Sequence, residues 1–194
     1  MSFFQAVTTV DFAVLDFIQE HLRCAFLDVL MPFFSYIAEG GAVWIIAAVV
    51  MLFFRKTRKW GLLVLVAMAA GFIIGEICLK NIICRVRPCY FTDIAMLVNK
   101  PNSYSFPSGH SCSSFAAATI IFFMNKKVGA AAIVLAFLVA FSRMYVYVHY
   151  PTDVLCGILL GVLCAVVTYS IYKKYIEKIE PKDLAEGGCK YEET

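Results

Sequence analysis

Three short stretches of the chain gather cations, histidines and a carboxylate that together could move a charged group. "KNIICRVRP" holds Lys80, Arg85, Arg87 and Pro88; "FPSGH" holds Pro107, Ser108, Gly109 and His110; "SRMYVYVHYPTD" holds Ser142, Arg143, His149 and Asp153. Of the three histidines in the chain, His21 alone lies outside these stretches. Lys80, Arg87 and Arg143 are suited to hold an anion. At a helix start, Ser108, Gly109 and His110 would add backbone N–H groups with the helix dipole behind them. Pro107 suits the first helical position, because it has no N–H to satisfy and its φ is already helical. Gly109 lets the backbone approach a ligand closely. Asp153 would accept from one imidazole nitrogen of His149 and leave the other free to act as a nucleophile. That set of groups fits phosphoryl transfer, which needs positioning, charge stabilisation at the equatorial oxygens and an in-line nucleophile. Each residue also has a plainer use. Cations near helix ends snorkel, an aspartate caps a helix, and Glu76, one turn before Lys80, is spaced to hold that lysine. Arg85 reads as a supporting cation or a headgroup contact.

The elements that must position these residues are membrane helices. Hydrophobic residues make up 61% of the 194 and charged residues 16%, against about 45–50% and 25% in soluble domains. The apolar residues fall in blocks near 24–38, 41–54, 61–84, 109–124, 128–148 and 152–172. The expected fold is all-α: a polytopic transmembrane helix bundle of about six spans over residues 24–172. The first two blocks are each shorter than the ~20 residues of a full span, so they form either two spans or one kinked helix. Ahead of them, within residues 1–23, Val10, Val14, Phe17, Ile18 and Leu22 recur at helical spacing against Asp11, Gln19, Glu20 and Arg23. This predicts an amphipathic helix lying at the membrane interface. Residues 173–194 read as a polar cytoplasmic tail.

Basic clusters at Arg55, Lys56, Arg58 and Lys59, at Lys126 and Lys127, and at Lys173, Lys174 and Lys178 fall on one side if each block crosses once. The positive-inside rule makes that side the cytoplasm, which puts the three chemical stretches on the extracytoplasmic face of a cell membrane. Gly71-x-x-x-Gly75 and Gly157-x-x-x-Gly161 predict close helix packing within the bundle, with a dimer contact as the alternative. The eight cysteines include no C-x-x-C and read mainly as small buried hydrophobes. Cys84 and Cys89 flank a loop and could pair on an oxidising side. The net charge of +3 is too small to point to nucleic acid, and no basic-aromatic patch does so. No carboxylate cluster suits magnesium, and neither a metal nor another cofactor is expected.

These motifs resemble the three-part signature of the type-2 phosphatidic acid phosphatases, K-x6-R-P, P-S-G-H and S-R-x5-H-x3-D, within the lipid phosphate phosphatase and vanadium haloperoxidase superfamily. Every fixed residue is present: Lys80, Arg87 and Pro88; Pro107, Ser108, Gly109 and His110; Ser142, Arg143, His149 and Asp153. The resemblance covers about residues 24–172. It implies that His149 attacks phosphorus, that Asp153 orients it, and that His110 protonates the leaving oxygen and then activates water. Lys80, Arg87, Ser108, Gly109 and Arg143 would bind the phosphate oxygens, with Glu76, Arg85, Pro107 and Ser142 in support. It also implies a metal-independent enzyme acting on a membrane lipid phosphate in the bilayer. The short connection from Arg85 to Phe106 leaves no evident soluble pocket, which favours a lipid entering between helices. Undecaprenyl diphosphate is the favoured substrate and phosphatidylglycerophosphate or phosphatidic acid the alternatives. A phosphotransferase and a non-enzymatic carrier are the functional rivals.

Overall fold

The computed structural model describes residues 3–176, and all regular structure within them is helical. The elements are α1 (Phe3–His21), α2 (Ala25–Ile37), α3 (Ala42–Phe53), α4 (Arg58–Phe72), α5 (Lys80–Ile83), α6 (Gly109–Met124), α7 (Lys126–Tyr145) and α8 (Pro151–Ile171). A π-helical stretch, Ile73–Leu79, joins α4 to α5 without a break, and short 3-10 turns lie at Glu39–Gly41 and Pro88–Tyr90.

α6 is the middle of the bundle, packed on α4, α7 and α8. Its sequence explains this, since Ala116, Ala117 and Ala118 are fully buried and let three neighbours approach at once. The glycines of α8 complete the fit. A Cβ on Gly157 would lie 2.5 Å from the carbonyl oxygen of Ser108, and one on Gly161 would overlap the carbonyl oxygen of Cys112. Gly71 likewise faces Cys112 on α6. Both glycine pairs therefore serve packing inside the bundle. Gly161→Val should consequently destabilise at or beyond the upper end of the ~1–3 kcal/mol typical of overpacking, because backbone must yield. A thermal melt of the detergent-solubilised protein checks this; a wild-type melting temperature would contradict it.

Three helical runs are long and apolar enough to cross a bilayer: Arg58–Tyr90, Lys126–Tyr145 and Pro151–Tyr175. Ala25–Ile37 and Glu39–Phe53 qualify together, bent by 46°. A hairpin would reverse the chain, whereas this bend carries it onward from α2 into α3. Gly40 and Gly41, with φ of 57° and 76°, supply the bend. α6, at 16 residues, is shorter than the ~20 of a full span. Among the described residues, three helices thus qualify as spans by length and composition, or four with the bent pair, and α6 is a shorter apolar helix.

α1 is helical as its spacing predicts, but part of its polar side faces protein. Asp11 and Leu15 are buried against the bundle, while Val10 and Phe17 remain 64% and 54% exposed. Gln19 donates to the Tyr145 carbonyl at 2.8 Å, and Asp16 accepts from the Tyr147 hydroxyl at 2.8 Å. Asp11, Asp16 and Gln19 thus bind the ends of α7 and α8, leaving Val10, Val14 and Phe17 outward, while Ile18 packs into the core and Glu20 stays exposed. Cys84 and Cys89 are both free thiols. Of the expected polar tail, Tyr172–Ile176 continues the last helix as a π-helical turn; residues 177–194, Cys189 among them, lie outside the described residues.

Candidate active site

The site forms where the upper ends of α5, α6, α7 and α8 meet. α7 ends at Tyr145, and the chain then folds back so that the N–H groups of Val148 and His149 both donate to the Arg143 carbonyl, at 3.2 and 3.3 Å. Tyr147 takes a φ of 60° in this turn. For a bulky aromatic residue that is an outlier worth about 1–3 kcal/mol of strain. The hydroxyl bond to Asp16 and full burial of the ring hold it there. The turn delivers His149, 2% exposed, to the top of the bundle.

Two neighbours fix the imidazole. Arg87 Nη1 donates to His149 Nε2 at 3.0 Å, so Nε2 carries the lone pair and Nδ1 the proton. Nδ1 faces Asp153 Oδ2 at 3.6 Å, an ion-pair separation longer than a hydrogen bond. Asp153 is fully buried in the first turn of α8, and its oxygens are otherwise engaged. Oδ2 accepts from the Tyr150 N–H at 3.0 Å, and Oδ1 accepts from Arg85 Nη1 at 2.7 Å. Arg87 is itself locked by the Ser103 and Val148 carbonyls, at 2.7 and 3.0 Å.

His149 lies between α7 and α8, outside the spans. Burial first, then the cations Arg87 and Arg143, hold it well below the ordinary histidine value of 6.5. It is therefore a neutral base at neutral pH, as a nucleophile must be. The sign for stability follows from proton binding: below 6.5 the unfolded chain takes up a proton that the folded site refuses, so this residue lowers stability as pH falls. A ring-nitrogen NMR titration of the ligand-free protein should place its midpoint below 6.5; a midpoint at or above that value would contradict the geometry.

The remaining motif residues stand around it. Lys80 Nζ bonds both oxygens of Glu76, at 2.6 and 2.8 Å. That carboxylate presses on Gly109, where any Cβ would overlap it. Arg143 is buried and donates to the Ser35 hydroxyl. His110 opens α6, with Nε2 at 3.4 Å from Glu39 Oε2. A cavity of about 950 Å³ is lined by Lys80, Arg87, Gly109, His110, Arg143 and His149, together with Glu76 and Pro107. Three cations and two histidines thus share one wall, an arrangement able to hold a tetrahedral oxyanion beside a lone-pair nitrogen.

Some expected residues sit behind that wall. Ser108 is the N-cap of α6: its hydroxyl accepts from the Ser111 N–H at 3.4 Å, and its own N–H donates to the Asp153 carbonyl at 3.0 Å. Pro107 therefore precedes the cap and does not open the helix. Of the three backbone donors expected to face outward, that of Ser108 is spent on α8. The bond still matters, because it ties the second motif to the third. Ser142 is buried and donates to the Val139 carbonyl at 2.7 Å. Arg85 is a support, bridging Asp153 to Asp11 at 2.7 and 2.6 Å. Sequence reading missed Glu39, Ser35 and Asp11. Glu39 carries a signal in the sequence, since it adjoins the helix-breaking pair Gly40-Gly41.

The chain is similar to known proteins over most of its length. The model of the PAP2 superfamily matches residues 60–177, and the chain belongs to that superfamily. It is 36% identical over 141 residues to an undecaprenyl-diphosphatase of Sulfolobus acidocaldarius, covering 72% of this chain and 68% of the relative. Among solved structures, the transmembrane PAP2-type phosphatidylglycerolphosphate phosphatase of Bacillus subtilis superposes with a TM-score of 0.73 at 32% identity, covering 88% of each chain. LpxE of Aquifex aeolicus gives a TM-score of 0.73 at 27% identity, over 83% of this chain and 95% of that one.

Proposed function

We propose that the protein is a membrane lipid phosphatase that releases phosphate from a lipid phosphomonoester or diphosphate through a phosphohistidine. His149 Nε2 attacks phosphorus as the lipid oxygen leaves. His110 protonates that oxygen and then takes a proton from the water that hydrolyses the intermediate. Lys80, Arg87, Arg143 and the Gly109 N–H neutralise the phosphoryl oxygens.

The observation that carries a lipid substrate is the cavity's other wall. Beyond the cations it is lined by Tyr36, Ile45, Phe72, Ile73 and Ile77 of α2, α3, α4 and the π-helical stretch. Each of these is also exposed on the outer surface of the bundle. The cation cage therefore opens sideways through an apolar gap, so a phosphate could sit at His149 while its chain stays in the bilayer. The relatives' names, an undecaprenyl-diphosphatase and a phosphatidylglycerolphosphate phosphatase, favour the same class. Undecaprenyl diphosphate is the favoured substrate, and phosphatidylglycerophosphate and phosphatidic acid are the alternatives.

The same reading proposes a topology. With α2 and α3 as one crossing and α6 spanning a thinned region, the chain crosses five times. The basic clusters lie in the cytoplasm, and α1 and the site lie on the extracytoplasmic face.

Phosphate release by the purified protein in detergent with excess EDTA tests the proposal. Undecaprenyl diphosphate should be hydrolysed faster than phosphatidylglycerophosphate and phosphatidic acid, and all three faster than a soluble aryl phosphate. Faster hydrolysis of the soluble ester would contradict the role of the apolar gap. Release from no lipid would return the carrier and phosphotransferase readings.

A further inference from the structure

We propose that Asp11, on the N-terminal helix α1, is a positioning residue of this reaction, acting through Arg85 on Asp153 and so on the His149 ring. The inference rests on His149 as the nucleophile. Asp11 is 1% exposed and has no water to solvate its charge. Its Oδ2 accepts from Arg85 Nη2 at 2.6 Å and from the Thr152 hydroxyl at 2.6 Å, and its Oδ1 accepts from the Thr152 N–H at 3.0 Å. The other arm of the same guanidinium, Nη1, reaches Asp153 Oδ1 and the Thr152 hydroxyl, each at 2.7 Å. The guanidinium plane rests on the Tyr150 ring at 3.8 Å, and Phe12 packs edge-on against that ring at 5.4 Å.

The result is a row of alternating charge running from α1 to the nucleophile: Asp11, Arg85, Asp153, His149. With Arg85 as its sole strong partner, Asp153 would direct its negative charge to the guanidinium and little of it to the imidazole. Asp11 shares that guanidinium from the far side. Asp153 therefore keeps a negative potential toward Nδ1, which holds the proton on that nitrogen and stabilises the ring as Nε2 bonds to phosphorus. Asp11 does not line the cavity, and neither does Arg85. Their effect should fall on turnover and leave substrate capture by Lys80 and Arg143 intact. A mere clamp for α1 would instead alter stability without this kinetic signature.

The test is a double-mutant cycle on the full chain in detergent: Asp11→Asn, Arg85→Gln and the pair, with Asp11→Glu and His149→Ala alongside. Activity is read below the melting temperature of every variant. Asp11→Asn should lower kcat about 10-fold or more, with KM and the competitive inhibition constant of inorganic phosphate within about two-fold of wild type. Asp11→Glu should recover part of the loss. In the Arg85→Gln background, Asp11→Asn should add less than about two-fold, because its route to Asp153 is already cut. Wild-type kcat in Asp11→Asn, a rise in KM at constant kcat, or multiplicative losses in the pair would each overturn the proposal. Should Asp11→Asn fail to fold, Thr152→Val removes the hydroxyl contact without touching a charge. It should lower kcat at constant KM, and wild-type kcat there would be equally fatal. A His149→Ala variant as active as wild type would bring down the nucleophile assignment itself, whatever Asp11→Asn does, and this inference with it.

Discussion

Replacing His149 with alanine is expected to lower kcat for lipid phosphate hydrolysis by about 10⁴-fold or more while the protein stays folded. Its Nε2 carries a lone pair among Arg87, Arg143 and Lys80, and burial keeps the ring neutral. His110 cannot take over, since it is paired with Glu39 and belongs to α6. The structural cost should be modest. Arg87 Nη1 loses an acceptor at Nε2 but keeps the Val148 carbonyl at 3.0 Å, and its Nε keeps Ser103. One lost buried hydrogen bond is worth about 1–3 kcal/mol. Phosphate release and a thermal melt on the same preparation separate the two effects. Activity within ten-fold of wild type would contradict the assignment.

Asp153→Asn should be nearly as damaging to turnover, by roughly 10³–10⁴-fold, and much worse for stability. The carboxylate faces three groups that want an acceptor: the Tyr150 N–H, Arg85 Nη1 and the protonated Nδ1 of His149. An amide has one oxygen to offer, so its NH₂ must confront one of these donors. The charge that favours the Nδ1–H tautomer is lost, and the half-buried Arg85 keeps Asp11 but loses its second carboxylate, a smaller loss than the about 3–5 kcal/mol of a fully buried pair. The melting temperature should therefore fall further for Asp153→Asn than for His149→Ala. Equal melting temperatures would mean that Asp153 is not the anchor of the Arg85 network.

Much of the site was legible from the spacing of its residues. Lys80, Arg87, His110, Arg143, His149 and Asp153 occupy fixed positions near helix ends, where local geometry determines which way a side chain points. What escaped depends on contacts between distant parts of the chain. Asp11 meets Thr152 across 141 residues, and Glu39 meets His110 across the bundle. No periodicity reports such a pair. α1 shows the consequence most clearly: its polar stripe reads as a water-facing side, yet Asp11, Asp16 and Gln19 bond to protein. The choice between two spans and one kinked helix for the first two blocks stays open in the sequence for a related reason. Hydropathy locates the blocks 24–38 and 41–54, but the 46° bend between their helices is set by Gly40 and Gly41. Ser108 was placed at the right helix end but given the wrong partner, because its N–H is taken by the Asp153 carbonyl on α8.

A covalent phosphoryl group on His149 Nε2 should be accessible to chemical trapping. Wild-type protein would be mixed with a lipid diphosphate radiolabelled in its terminal phosphate, quenched in alkali within milliseconds and digested for peptide mapping. An alkali-stable, acid-labile label is expected on the peptide containing His149, formed in EDTA and absent from His149→Ala. Label that persists in His149→Ala, or that maps to His110, would contradict it.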